Sequence, residues 1–343
     1  PAQMEEMIAS GQADLVGMAR QILCDPYTPQ KALSGRADEI TKCCRCFTCF
    51  GAFLTTRTAK CAFNPVIGRE LDHEYEFPKT TPKKVLIAGG GPGGMEAALT
   101  AKARGHEVIL FEKSSRLGGQ LLYEEHVPFK SDLYAYAVKQ AERVMTSGAD
   151  VRLGQELTAE LVGEIKPDVL ICAVGASQLV PKIPGIDSPK VKTLDALHSK
   201  TPELGKKVVI LGGGLVGSET AVYLDSLGHD VTVVEMRGDF AVDAAEMHKT
   251  GIELELRANR VKLLMNTTAR AVTDAGLLCA DKDGKEFLVE ADSVLLAAGM
   301  RPNVDTVLSL RDGADKYFAV GDCVKPGKVY DAVANAYYGA LDI

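Results

Sequence analysis

At 343 residues, with 46% hydrophobic and 25% charged side chains, the chain is too long for one ordinary core, and two or three domains are expected. A net charge of −7 argues against nucleic acid as the main partner, because neutralising phosphates needs a basic face. No apolar run reaches the roughly 18 residues needed to span a bilayer, and no signal peptide opens the sequence, which starts at Pro1 without an initiator Met.

In chain order, residues 1–42 read as a helix (PAQMEEMIASGQ), a short strand (ADLVGMAR) and a loop. Residues 43–80 hold a cysteine segment and a polar linker containing His73. From Lys84 the pattern is strand, glycine turn, helix, strand: KVLIA, GGGPGG, MEAALTAKARG, HEVILFE. The same unit returns from Lys207 as KVVIL, GGGLVG, SETAVYLDSLG, HDVTVVE. Uninterrupted apolar strands of this kind suit parallel sheets covered on both faces, so the fold class is α/β with two Rossmann-like domains. Further on, strands surround an Asp283-Gly284 turn, YFAVGDC reads as another strand, and a last helix is expected from Asp331.

Both repeats carry the spacing G-x-G-x-x-G directly after a strand. In the first, Gly89 permits the tight turn, Gly91 lets a pyrophosphate approach the backbone, and Gly94 lets helix and strand pack closely. Glu112 ends the next strand and can accept hydrogen bonds from a ribose diol. Gly212, Gly214, Gly217 and Glu235 repeat the arrangement. A single glycine fingerprint is also met in sheets that bind no nucleotide, but here strand, glycines, helix, strand and acid agree twice. A carboxylate at Glu235 favours the free 2′-hydroxyl of NAD(H), while Arg237 nearby leaves NADPH open.

Five of the nine cysteines fall between Cys43 and Cys61. Clustering in a large acidic chain favours metal binding in a reducing compartment, hence the cytoplasm, over a disulfide framework. Cys43-x-x-Cys46-x-x-Cys49, with Cys61 after eleven more residues, supplies four thiolates, as a [4Fe–4S] cluster requires. A zinc ion held tetrahedrally by the same four thiolates is the competing reading. Cys44 has no assigned role. His106, His126, His198, His229 and His248 show no metal spacing and read as exposed or loop residues. Tyr330, Tyr337 and Tyr338 read as packing residues.

From Lys84 onward the chain resembles the flavoproteins with two dinucleotide domains. That resemblance implies FAD on the first fingerprint, an inserted NAD(P) domain carrying the second, and a return of the chain to complete the FAD domain. FAVGD would place Asp322 on FAD, and LGGQL would lay Gly119 and Gln120 along the flavin. AVGA (173–176) and AAGMRPN (297–303) would be the crossover strands. GQADLVGMARQILCDP, the cysteines and CAFNPVIGRE resemble the junction in the 2,4-dienoyl-CoA reductase, enoate reductase and trimethylamine dehydrogenase group. There an old-yellow-enzyme-type (β/α)8 barrel with FMN precedes the cluster. The resemblance makes ADLVGMAR the eighth barrel strand, and Gly17 and Arg20 the contacts of the FMN phosphate.

The expected division is therefore 1–42 barrel remnant, 43–80 iron–sulfur segment, 81–190 and 300–343 FAD domain, and 191–299 NAD(P) domain. What the resemblance implies is the C-terminal half of an enzyme that passes electrons from NADH to an activated C=C bond of a small-molecule substrate. Its own N-terminal barrel would be its partner, with no membrane partner and a homo-oligomer left open. Three rivals stand beside it. An amine dehydrogenase of the same group would not need the second fingerprint intact. A disulfide reductase would need a C-x4-C or C-x-x-C pair that neither dinucleotide region has. A nucleotide-binding docking module would show no flavin chemistry.

Overall fold

The two apolar strand runs that carry the repeat each become the centre of a sheet. A computed structural model describes residues 1–71 and 80–343, so His73 lies outside the described residues. The chain forms two compact units: Pro1–Gly119 with Asp132–Val174 and Asp305–Ile343, and Gln120–Ser131 with Gly175–Val304.

In the first unit, β1 (Lys84–Ala88), β2 (Glu107–Glu112), β3 (Asp150–Leu153) and β4 (Val169–Cys172) form a parallel sheet with a returning strand, Lys316–Ala319. The order is returning strand, β4, β1, β2, β3. Alternate residues of β1 enter different cores: Val85 and Ile87 join Met95 and Ala98, whereas Leu86 and Ala88 join Phe111 and Leu170. Burial on both faces is why the run is apolar throughout, each such side chain contributing about 1.5–3 kcal/mol.

The second unit repeats the plan. Its strands are β5 (Ala176–Gln178), β6 (Val191–Lys192), β7 (Lys207–Leu211), β8 (Asp230–Val234), β9 (Lys262–Leu264), β10 (Thr268–Thr273), β11 (Gly276–Ala280), β12 (Glu286–Glu290), β13 (Ser293–Leu296) and β14 (Met300–Pro302). The parallel sheet runs β6-β13-β7-β8-β9, so β13-β7-β8-β9 copies β4-β1-β2-β3. An antiparallel sheet β10-β11-β12 contains the expected turn at Asp283-Gly284. The two crossover segments pair with each other, Arg301 opposite Ser177. The second unit includes both crossover segments along with the 191–299 expected from sequence.

Two local expectations differ from the structure. Residues 13–19 form no strand, and Leu15 is 88% exposed. A strand exists only against a partner, and the short helices Arg20–Cys24 and Thr28–Leu33 that follow offer none. The last helix spans Val329–Leu341, starting ahead of Asp331, because the Asp331 carboxylate accepts the Lys328 N–H at 2.8 Å and caps the turn before it. Among the described residues, no helix is long and apolar enough to cross a membrane.

Candidate functional site

Each glycine turn joins the end of a central strand to a helix start. Gly89 and Gly212 sit at φ +100° and +115°, where L side chains are strained. A Cβ on Gly94 would lie 1.8 Å from the Gly89 oxygen, and one on Gly217 would lie 2.0 Å from the Gly212 oxygen. Helix and turn therefore meet backbone to backbone. Gly91 and Gly214 cap the helices Pro92–Ala103 and Leu215–Ser226, whose first N–H groups suit an anion.

The acid at the end of the next strand clamps each turn. Glu112 accepts the Gly90 N–H at 2.7 Å on one oxygen and the Ser114 N–H at 2.7 Å on the other. Glu235 accepts from Gly213 at 2.6 Å and from Arg237 at 2.8 Å. An ionised carboxylate has about four acceptor positions, so each acid keeps capacity for a ribose diol. In the first unit, the Gly118 N–H donates to the Gly90 oxygen at 2.9 Å. A Cβ on Gly119 would come within 2.9 Å of the Gly91 Cα, so the LGG segment lies on the first turn. Asp322 accepts the Gly327 N–H at 3.0 Å, and burial pushes its carboxyl up from the ordinary range.

A cavity of about 180 Å³ opens within the second unit, where the sheet's strands end and the helix Leu215–Ser226 begins. Its wall includes Gln120, Tyr123, Lys130, Gln178, Glu219 and Ala297. Lys130 Nζ lies 2.6 Å from Glu219 and 2.9 Å from Glu124, and His248 Nε2 lies 3.1 Å from the other Glu219 oxygen. Burial opposes the Lys130 charge, but the two carboxylates outweigh it and raise its pKa. Burial likewise works against the Glu219 carboxylate, yet His248 and Lys130 pull its pKa below the usual value. The Gln178 Oε1 accepts the Leu194 N–H at 3.1 Å, which fixes the amide. Its Nε2 is buried and has no partner among the described residues.

Sequence reasoning missed this cavity. Lys130 and Glu219 stand 89 positions apart with no shared motif, and only the fold brings them together. Gln120, expected along the flavin, belongs to the second unit and donates to the Ala176 oxygen at 3.1 Å. Of the histidines read as exposed or loop residues, His198 is exposed and His106 lies in a loop, whereas His248 sits half-buried in a helix. His248 pairs with Glu219, His198 stacks on Tyr123, and His106 lies in a loop but is buried, its Nδ1 accepting the Lys83 N–H. Tyr337 and Tyr338 pack edge to face, and Tyr338 donates to the Pro65 oxygen.

The cysteine segment encloses a second, small cavity in the first unit. Cys43, Cys44, Cys46, Cys49 and Cys61 line it, together with Cys24 and Arg20. Arg45 and Phe47 flank Cys46 in left-handed conformations, φ +60° and +58°, which turn this short stretch sharply. A hydrogen bond from Cys44 holds the Cys46 thiol below its ordinary value, and one from Cys24 does the same for Cys61. Among the described residues, no three ligating side chains converge on one ion position. A tetrahedral zinc would need sulfurs within about 4 Å of one another. A cluster spreads its thiolates over several irons, so its ligands stand further apart. Arg20 stacks on Phe47 at 4.8 Å, and its buried Nη1 has no partner among the described residues, which suits an anion there. Gly17 is exposed.

The family model described as pyridine nucleotide-disulphide oxidoreductase matches residues 83–338. An NADH oxidase of Thermoanaerobacter brockii is 34% identical over 351 residues, covering 100% of this chain and 54% of that protein. A cinnamate reductase of Clostridium sporogenes is 33% identical, covering 100% of this chain and 52% of that protein. A solved 2-naphthoyl-CoA reductase superposes with a TM-score of 0.92 at 31% identity, covering 99% of this chain and 52% of that one. The chain thus spans about half the length of the relatives it matches.

Proposed function

The chain belongs to the pyridine nucleotide-disulphide oxidoreductase family, and from that premise we propose that it is the electron-input half of an NADH-dependent flavoenzyme that reduces an activated C=C bond. Membership brings FAD and NAD(H) binding with it. The observation that carries the reading is the duplicated clamp, Glu112 on Gly90 and Glu235 on Gly213, in two sheets of the same strand order.

In this reading the first unit holds FAD through Gly89, Gly91, Gly94, Glu112, Gly119 and Asp322. The second holds NADH through Gly212, Gly214, Gly217 and Glu235. When both are bound, the cofactors supply hydride exchange. The protein's part is to seat them: helix starts take the pyrophosphates, and the two acids take the ribose hydroxyls. The cavity beside the second turn is smaller than a whole-cofactor pocket and suits one ring of the dinucleotide. Its unpartnered Gln178 Nε2 would donate to the carboxamide oxygen of a nicotinamide, while paired Lys130 and Glu219 would form part of the wall around it.

Cys43, Cys46, Cys49 and Cys61 are proposed to hold a [4Fe–4S] cluster, a one-electron carrier. Arg20, with Gly17, is proposed to meet the phosphate of FMN in a preceding (β/α)8 barrel. Leu15, Leu33 and Phe53, exposed by 88%, 90% and 64%, form apolar surface that a further domain would cover. The enoate or dienoyl thioester class is favoured by the reductases among the relatives, and a cytoplasmic location is proposed from the clustered thiols, which suit a reducing compartment.

The deciding experiment reconstitutes the chain with FAD and titrates it with NADH without oxygen. Bleaching of the flavin band supports the proposal. FAD uptake with no bleaching by NADH removes the reductase reading and favours the amine dehydrogenase, while no flavin uptake favours the docking module. Iron and sulfide analysis with an electron spin resonance spectrum of the reduced protein tests the cluster; zinc in their place would overturn that assignment.

A further inference from the structure

After β8, residues 236–245 fold back over the second glycine turn. The Ala241 N–H donates to the Gly213 oxygen at 2.7 Å, and the Ala244 N–H to the Ala241 oxygen at 3.0 Å. Ala241 is fully buried at φ +44°, a conformation an alanine keeps only when its surroundings impose it. Lys249 ties the loop from the following helix, pairing with Asp239 and lying 5.2 Å over the Phe240 ring. This fold carries Asp243 to the start of the helix Leu215–Ser226. Its Oδ1 accepts the Leu215 N–H at 2.8 Å and would stand 3.4 Å from a Cβ on Gly214.

That is the place the glycine fingerprint reserves for a pyrophosphate. The first repeat offers an internal comparison. Where the second has Leu215, the first has Pro92, which has no N–H for a carboxylate to take. The two turns are otherwise clamped alike, so the carboxylate seat belongs to the second repeat.

We infer that Asp243 is a built-in competitor for the dinucleotide's pyrophosphate and that its strap, residues 236–245, must withdraw for NADH to bind. A carboxylate and a diphosphate repel each other and need the same N–H groups, so they cannot share the helix start. Asp243 thereby sets nucleotide affinity, acting as a positioning residue that holds the empty cradle in shape. The inference rests on the reading that the second unit binds NADH.

The test compares NADH dissociation constants of the FAD-loaded wild-type chain and its Asp243→Asn variant, which keeps an acceptor but loses the charge. An anion at a helix start is worth enough that the variant should bind about three- to tenfold tighter. A residue that merely braced the loop, or that bonded the ribose, would weaken binding when changed. Wild-type binding with equal or weaker binding by the variant overturns the inference and leaves the nucleotide assignment standing. Binding by neither protein overturns both. A second measurement needs no variant: hydrogen exchange at Ala241 in the wild type should speed up when ADP-ribose is added. Slower exchange there would mean that the loop closes on the nucleotide, and would overturn the inference.

Discussion

Glu235 and Gly213 are joined by a 2.6 Å hydrogen bond from the glycine N–H to the carboxylate, and Glu112 and Gly90 repeat it at 2.7 Å. In each unit one acid thus fixes the shape of the turn and stands ready for the ribose. Glu235→Gln keeps the length but loses the charge-assisted bond, worth about 1.5–3 kcal/mol. NADH binding should weaken about tenfold or more while bound FAD stays at the wild-type level. Glu112→Gln should do the reverse. Flavin content and NADH titration, measured on both variants, separate the two outcomes; loss of FAD from Glu235→Gln would contradict the division of labour.

Lys130 lies between Glu124 and Glu219, and all three are largely buried. Lys130→Met would leave Glu124 without its cation and Glu219 with His248 alone, a loss of roughly 3 kcal/mol at neutral pH. The two carboxyls shift in opposite directions: burial raises Glu124 despite Lys130, whereas His248 and Lys130 overcome burial and lower Glu219. In the wild type the Glu219 carboxyl sits below its ordinary value, so its contribution is present at neutral pH and is lost as pH falls through the folded value. Without Lys130 the repelling carboxylates gain by taking up a proton, so the variant should become more stable as pH falls from 7 toward 5. Thermal unfolding at several pH values reads both trends, and a parallel fall of wild type and variant would refute the account.

How far the sequence revealed the molecule depended on whether a feature was local. Gly89–Gly94 and Gly212–Gly217 were legible because a tight turn, a close approach and a helix start must all lie within six residues. The parallel sheets followed from uninterrupted apolar runs such as KVVIL. The Lys130–Glu219 pair and the place of Cys24 beside Cys61 were not legible, since nothing short-range marks a contact across 89 or 37 positions. ADLVGMAR shows the opposite error: its apolar pattern suits a strand, but pairing needs a neighbour.

Gln178 presents a buried donor to a cavity whose other walls are mainly apolar. Gln178→Leu keeps the volume and removes the donor. A nicotinamide whose carboxamide meets that amide should lose about 1 kcal/mol, so the KM for NADH should rise roughly three- to tenfold. The affinity for ADP-ribose, which has no nicotinamide, should not change. Equal losses for both ligands would move the nicotinamide out of this cavity.

Phe63, two positions from Cys61, stacks on Tyr136 with centroids 3.6 Å apart. Gln140 then links the Tyr136 hydroxyl to Glu96, on the helix that follows the first glycine turn. The cysteine loop and the proposed FAD helix are thus coupled through one buried chain of side chains. Burial raises the Glu96 carboxyl to about 7, against the partial relief given by Arg143 and Gln140. A raised acid binds its proton more tightly in the folded state than in the unfolded one. The folded chain therefore loses stability as pH rises from the ordinary glutamate value of about 4.3 through 7, by at most about 4 kcal/mol. Glu96→Gln removes the proton and with it this slope. The variant should match the wild type near pH 5 and exceed it at pH 8, measured by urea unfolding. If the pair instead keeps a constant difference across that range, Glu96 is ionised throughout and the coupling chain carries a fixed charge.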